Sequence, residues 1–136
     1  MKPPEFCPCQ SGQPYAICCQ PYHNGQPIPH PLALMRARYS AFALNLPEFL
    51  MATTAPDNPG YRPDSRRWRQ ELRGYCRRTR FHGLTILKVE GGSKPDEGYV
   101  TFRARLISGG RDGSFTERSR FVRVDNRWLY HSGVLS

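Results

Sequence analysis

Four of the chain's five cysteines lie in one stretch, CPCQSGQPYAICC, at residues 7–19 of 136. The same N-terminal region holds eight of the 13 prolines, all within residues 1–31, together with Gly12 and Gly25. Proline fixes φ and lacks a backbone donor, so this segment forms no helix or strand of any length. It also carries too little apolar material to fold alone. Something other than a core of its own must hold it.

The spacing is Cys-x-Cys, eight residues, then Cys-Cys. One tight turn presents Cys7 and Cys9 to a common point. The loop through Ser11, Gly12 and Pro14 then folds back and brings Cys18 and Cys19 opposite them. Four thiolates suit a tetrahedral zinc ion, with sulfurs about 2.3 Å from the metal. Calcium and magnesium prefer oxygen. Two alternatives compete. Disulfides belong to oxidising compartments, and nothing here suggests export. Iron–sulfur clusters also take four thiolates, but the usual ferredoxin spacings differ from this one. Zn2+ held by Cys7, Cys9, Cys18 and Cys19 is the expected cofactor, and its binding would fold the segment. His23 and His30 are nearby and could replace a cysteine, but both are expected on exposed loop. Cys76 is expected as a small buried residue of a helix.

At 136 residues and 15.6 kDa, with 38% hydrophobic residues, one domain with a small appendage is expected. No apolar run approaches the roughly 20 residues of a membrane helix. Lys2 is followed by no apolar stretch of the secretory kind, so a cytoplasmic location is the expectation. The net charge of +9 is concentrated, six of the nine coming from residues 62–80. There Arg66, Arg67, Arg69, Arg73, Arg77 and Arg78 would line one helix face. Such a face attracts an acidic protein partner or nucleic acid, or it is simply solvated. Trp68, Tyr75 and Phe81 interleave with the arginines, but Trp68 and Tyr75 are needed for the core side of that helix.

From Leu32 the pattern is helical: Leu34 or Met35, Tyr39, Phe42 and Leu46 recur at helical spacing, with Pro31 suited to the start. Residues 47–53 read as a second short helix, and 56–63 as a loop rich in Pro, Gly, Asp and Asn. Asp64 or Ser65 then caps a third helix running to about Arg78, its inner stripe Trp68, Leu72, Tyr75 or Cys76, and Thr79. After Gly83 the period becomes two. Leu84–Val89, Tyr99–Ile107, Phe115–Val124 and Arg127–His131 read as strands of an antiparallel meander, separated by turns at Gly91-Gly92, Gly109-Gly110 with Asp112-Gly113, and Asp125-Asn126. The fold class is α+β: residues 1–31 form a zinc-binding segment, and residues 32–136 a domain of helices packed on a curved antiparallel sheet.

The stretch CPCQSGQPYAICC resembles the SEC-C motif, a zinc-binding segment named for the C-terminus of the preprotein translocase ATPase. With Leu34-Met35-Arg36-Ala37-Arg38-Tyr39-Ser40-Ala41-Phe42, Ser119-Arg120-Phe121 and Trp128-Leu129-Tyr130, the chain resembles the YchJ-like family over nearly its whole length. The resemblance implies a SEC-C segment joined to a nuclear transport factor 2-like domain, a cone of helices on a curved sheet. It carries no assigned reaction. SEC-C segments usually have Gly after the second cysteine, where this chain has Gln10, so a positive φ there would be strained. Because such segments are docking surfaces in the translocase, the resemblance also implies a protein partner. A non-enzymatic adaptor is the leading expectation.

The alternative is a small-molecule-binding or catalytic cone with a pocket between helices and sheet. Along Phe115–Val124 one face carries Phe115, Glu117, Ser119 and Phe121, the other Thr116, Arg118, Arg120 and Val122, and neither is uniformly apolar. Should Glu117 point inward, Arg36 or Arg38 can meet it. Arg36, Tyr39, Glu117, Ser119 and Trp128 would then line a polar pocket, or a buried ion pair would simply join helix to sheet. No catalytic set is assigned: phosphate-cradling loop, nucleophile elbow and paired carboxylates are all missing from the sequence. His82 and His131 have no evident acid or nucleophile beside them.

Overall fold

The computed structural model describes residues 5–136. A 3-10 turn, Tyr15–Ile17, and a short helix α1, Gln20–His23, are the regular elements of the cysteine segment, as its prolines dictate. Helix α2 then spans Pro31–Ala43, α3 Pro47–Ala52 and α4 Ser65–Arg78. Five strands follow: β1 Thr79–Gly91, β2 Glu97–Ser108, β3 Arg111–Asp112, β4 Phe115–Val124 and β5 Arg127–Leu135. Among the described residues, no helix is long and apolar enough to cross a membrane.

The two long helices, α2 and α4, start where side-chain caps satisfy their first donors. Pro31 opens α2, and the ring of His30 accepts from the Ala33 amide at 3.2 Å. Asp64 caps α4, its Oδ1 accepting from the amides of Arg66 (3.1 Å) and Arg67 (3.2 Å). Helix α2 ends at Asn45, whose φ of +57° turns the chain into α3 while Leu46 N donates to Ala41 O.

The sheet is antiparallel in the order β1-β2-β4-β5, with β3 a short hairpin partner of β2. The hairpin turns at Gly109-Gly110 and Asp125-Asn126 sit where expected, but Asp112, expected in a turn, pairs instead as part of β3. Gly109 and Gly110, then Asp125 and Asn126, all take positive φ, the conformation that suits a two-residue hairpin. Strand β1 is longer than its alternation suggested. It begins at Thr79, because neither Gly nor Pro separates it from α4, and Gly83 sits at a register shift within the strand. Strand β5 likewise continues past His131, pairing with β4 as far as Glu117↔Leu135.

The main core lies between α2 and the inner face of the sheet. Leu34, Met35, Ala37 and Tyr39 pack on Leu84, Val100, Phe102, Ala104, Leu106, Phe121 and Trp128. Cys7, Cys9, Tyr15 and Cys19 belong to this same core. A smaller cluster, Ala41, Leu50 and Cys76, joins α2 to α3 and α4. Trp68 is buried as its helical stripe requires, its ring 5.0 Å from that of Tyr61. Where α2 starts, Pro31 presses on Gly98 of β2: a Cβ at position 98 would come 2.7 Å from Pro31 Cγ. Gly98→Ala should therefore cost about 1–3 kcal/mol through overpacking, read as a lower urea midpoint with an unchanged slope.

Candidate metal centre and interior cleft

The four clustered cysteines converge. All four Sγ atoms lie within 4.8 Å of one another. Sulfurs placed about 2.3 Å from a tetrahedral centre stand roughly 3.8 Å apart. Cys9 to Cys18 is 3.6 Å and Cys18 to Cys19 is 3.9 Å, so the group has the dimensions of a four-thiolate metal site. No cysteine of the chain is in a disulfide. A β-bridge between Phe6 and Pro14 closes the base of the loop, and Cys7 N donates to Gln13 O. Gln10 has φ +67°, the left-handed conformation for which glycine is the usual residue.

The electrostatics favour a cation at the centre. Hydrogen bonds from Cys19 and Cys7 hold the Cys9 thiol far below the ordinary range. Further ionisation is opposed. Burial pushes Cys18 up to about 11, and hydrogen bonding to Cys7 and Cys9 together with burial pushes Cys19 higher still. A metal ion removes that opposition by neutralising the crowded sulfurs.

Helix α2 supplies the outer shell. The wholly buried Ser40 hydroxyl donates to Cys19 Sγ at 3.2 Å and lies 3.3 Å from Cys7 Sγ. Arg36 Nη1 donates to Cys9 O at 2.9 Å, bringing its positive charge within 3.9 Å of Cys9 Sγ. His23 is not on exposed loop as expected but half-buried at the end of α1. Its Nε2 donates to Ala37 O at 2.8 Å, and burial lowers its pKa, so the ring is neutral. Nδ1 therefore accepts from the Tyr15 hydroxyl at 2.6 Å, and neither nitrogen is left to bind metal. His30, exposed, caps α2. Cys76 stands apart, buried under α4, with its thiol pushed up to about 11 by burial.

A cleft of about 180 Å³ opens between α2, α4 and the sheet. Strand β4 turns its Phe115, Glu117, Ser119, Phe121 face inward. Tyr39, Glu117 and Ser119 line the cleft as the sequence suggested. Arg36 and Trp128 do not. Arg36 is two residues from Arg38, on a different side of the helix, and serves the cysteines. Trp128 precedes Tyr130 on β5 and lines a separate hollow, together with His23 and Phe49. The arginine that reaches the cleft is Arg38, and Tyr130 is the tyrosine that periodicity alone had not singled out.

Arg38 and Glu117 are not an ion pair: none of their charged atoms approach within 4.0 Å. Arg38 Nη1 donates instead to Leu50 O (3.1 Å), Thr53 Oγ1 (2.8 Å) and Thr54 Oγ1 (3.1 Å), and the guanidinium lies 4.7 Å from the Tyr130 ring centroid. Burial lowers its pKa to about 10, so it stays charged at neutral pH. Glu117 Oε2 accepts from Ser119 Oγ at 2.5 Å and from the Tyr130 hydroxyl at 3.0 Å. Gly133 leaves the space: a Cβ there would strike the Glu117 carboxylate.

The outer surface holds two further groups. On α4, Arg69 pairs with Glu48, and Arg67 and Arg62 with Glu71. Arg66, Arg73, Arg77 and Arg78 have no carboxylate within 4.0 Å among the described residues. His131, which looked solitary in the sequence, meets Asp57 at 3.0 Å through Nε2 and Ser132 at 2.8 Å through Nδ1. With Asn58 Nδ2 donating to His131 O, the contact ties the 55–61 loop to β5.

The strain at Gln10 is testable. Gln10→Gly should stabilise the cysteine segment by about 0.5–1 kcal/mol, seen as slower loss of metal to a chelator, with the rest of the fold unchanged.

The comparisons with known proteins agree with this architecture. Residues 7–21 match the SEC-C motif, and residues 30–133 match the family described as "YchJ, middle NTF2-like domain". The UPF0225 protein PC1_1977 of Pectobacterium carotovorum is 44% identical over 134 residues, covering 96% of this chain and 83% of that one. Among solved structures, RPA3114, a SEC-C motif containing protein from Rhodopseudomonas palustris, superposes with a TM-score of 0.76 at 31% identity, covering 96% of this chain and 98% of that one. A SEC-C motif containing protein from Psychrobacter arcticus gives 0.73 at 27% identity, covering 96% and 82%. A metal-competent SEC-C cluster leading into a nuclear transport factor 2-like domain places the chain in the YchJ family.

Proposed function

We propose that the chain is a zinc-stapled, non-enzymatic adaptor of the reducing cytoplasm, whose cysteine segment is a docking surface for a protein partner. Zinc suits a closed set of four thiolates with no open coordination position. A closed site of this kind supports a structural role and offers no place for substrate.

One observation carries the docking role. Phe6 and Ile17, at 63% and 69% exposure, are large apolar side chains left outside on a segment that is otherwise well fastened. Because the metal and α2 already order the backbone beneath them, a partner covering these side chains would lose little freedom in doing so. The unpaired arginines of α4 support an acidic partner, since a cationic face speeds encounter more than it adds affinity. Nucleic acid is less well supported. Trp68 is buried and Tyr75 lines the cleft, so neither is available to stack on bases.

Metal-loaded protein should carry one zinc ion per chain by native mass spectrometry. All five thiols should then react slowly with a thiol reagent, four through the metal and Cys76 through burial. Stripping the metal should expose four. The double variant F6S/I17S should keep zinc and melting temperature but lose cross-linking to the wild type's partners. Unchanged cross-linking by the double variant defeats the docking surface, and a metal-free purified protein defeats the zinc assignment.

A second reading is favoured by the cleft. Its polar groups converge in an aromatic-lined hollow, as a small-molecule site in a cone domain would require.

A further inference from the structure

Among the described residues, Glu117 is the one carboxylate that is both withdrawn from the surface and more than 4.0 Å from every cationic side chain. The other half-buried acids, Glu90 and Glu97, are paired with Arg118 and Arg120. In a chain with 20 basic side chains against 11 acidic ones, an interior carboxylate left without an arginine is unusual. The position is also built. Gly133 makes room for the carboxylate, and Ser119 and Tyr130 direct two hydroxyl donors to Oε2. Oε1 accepts from no described residue.

Around this oxygen the cleft is walled mainly by rings, among them Tyr39, Phe81, Phe102, Phe121 and Tyr130. Aromatic faces are electron-rich and attract a cation, and a carboxylate at the end of such a hollow does the same. Arg38 shares the wall and feels the charge of Glu117 across the hollow, but it makes no ion pair with it and its hydrogen bonds go elsewhere. Its Nη1 serves a carbonyl and two hydroxyls at the end of α3, and its Cζ lies 4.7 Å from the Tyr130 ring centroid. What the hollow presents at this end is an open carboxylate oxygen, since both hydroxyl donors go to Oε2. Size sets a further limit: a cavity of about 150 Å³ holds one benzene ring, and this cleft is about 180 Å³.

Resting on the small-molecule reading above, we propose that the cleft binds a single-ring aromatic amine, with its protonated nitrogen donating to Glu117 Oε1 and its ring among the aromatic side chains. Three probes with the same ring and different heads decide the matter: benzylamine, benzyl alcohol and benzoate, titrated into the full-length, metal-loaded chain and followed by amide shifts. Benzylamine should perturb Ser119, Phe121 and Tyr130 and bind at least about tenfold more tightly than the other two, as a charge-assisted hydrogen bond predicts. Glu117→Gln should remove that advantage while leaving benzyl alcohol unchanged. Equal or tighter binding of benzoate or benzyl alcohol overturns the amine and leaves a small-molecule site standing. If none of the three perturbs the cleft at millimolar concentration, both readings fall. A folded E117Q that still prefers benzylamine also overturns the proposal, and the wild-type comparison decides whether or not E117Q folds.

Discussion

The contact between the cysteine cluster and helix α2 is the constraint on which the rest of the structure depends. Ser40 reaches two of the four sulfurs, Arg36 ties down the Cys9 carbonyl, and the Ala37 carbonyl receives His23. These are three positions on one side of a single helix. A proline-rich segment without a core of its own thereby becomes part of the main core, with Cys9 and Cys19 as enclosed as Leu34. The sulfur cluster crowds groups that resist shared ionisation, so a metal ion that relieved them would also fasten the segment to the helix.

Helix α2 can serve every neighbour because it is buried nearly all round. Leu34, Met35, Ala37, Tyr39, Ser40 and Ala41 are all enclosed, although they point in different directions. One side meets the cysteines, one meets the sheet and cleft through Met35, Arg38 and Tyr39, and Ala41 meets α3 and α4. Such a helix has no solvated stripe to give up. Its two arginines are absorbed by carbonyl, hydroxyl and aromatic partners in place of water.

Much of this was legible in the residues, and what was not has identifiable causes. Spacing and thiol chemistry identified the four converging cysteines, and turn chemistry located the hairpins at Gly109-Gly110 and Asp125-Asn126. The missing glycine after Cys9 pointed to the positive φ that Gln10 adopts. Other features needed coordinates. The start of β1 was hidden because Gly83 marks an irregularity inside the strand and not its boundary. His23 was misplaced because its burial comes largely from Phe49 and α2, distant in sequence, with Tyr15 folded back onto it from earlier in the cysteine segment. The inward face of β4 was undecided because Glu117 and Ser119 break the apolar alternation on the side that faces the core.

That last ambiguity bears on function. A strand whose buried face is uniformly apolar announces its orientation, and a polar residue on that face obscures it. Glu117 weakens the β4 pattern, and its setting shows arrangement in place of tolerance: a glycine on the adjacent strand, one hydroxyl two residues along β4 and another across on β5. A carboxylate retained only for structure would gain more from an arginine, and Arg38 lines the same hollow. The fold directs Arg38 instead to the end of α3, where its hydrogen bonds hold the turn into the strand-like contact between Thr54 and Tyr130. With Arg38 committed there, Glu117 Oε1 accepts from no described residue, and it is on this open oxygen that the proposed amine site rests.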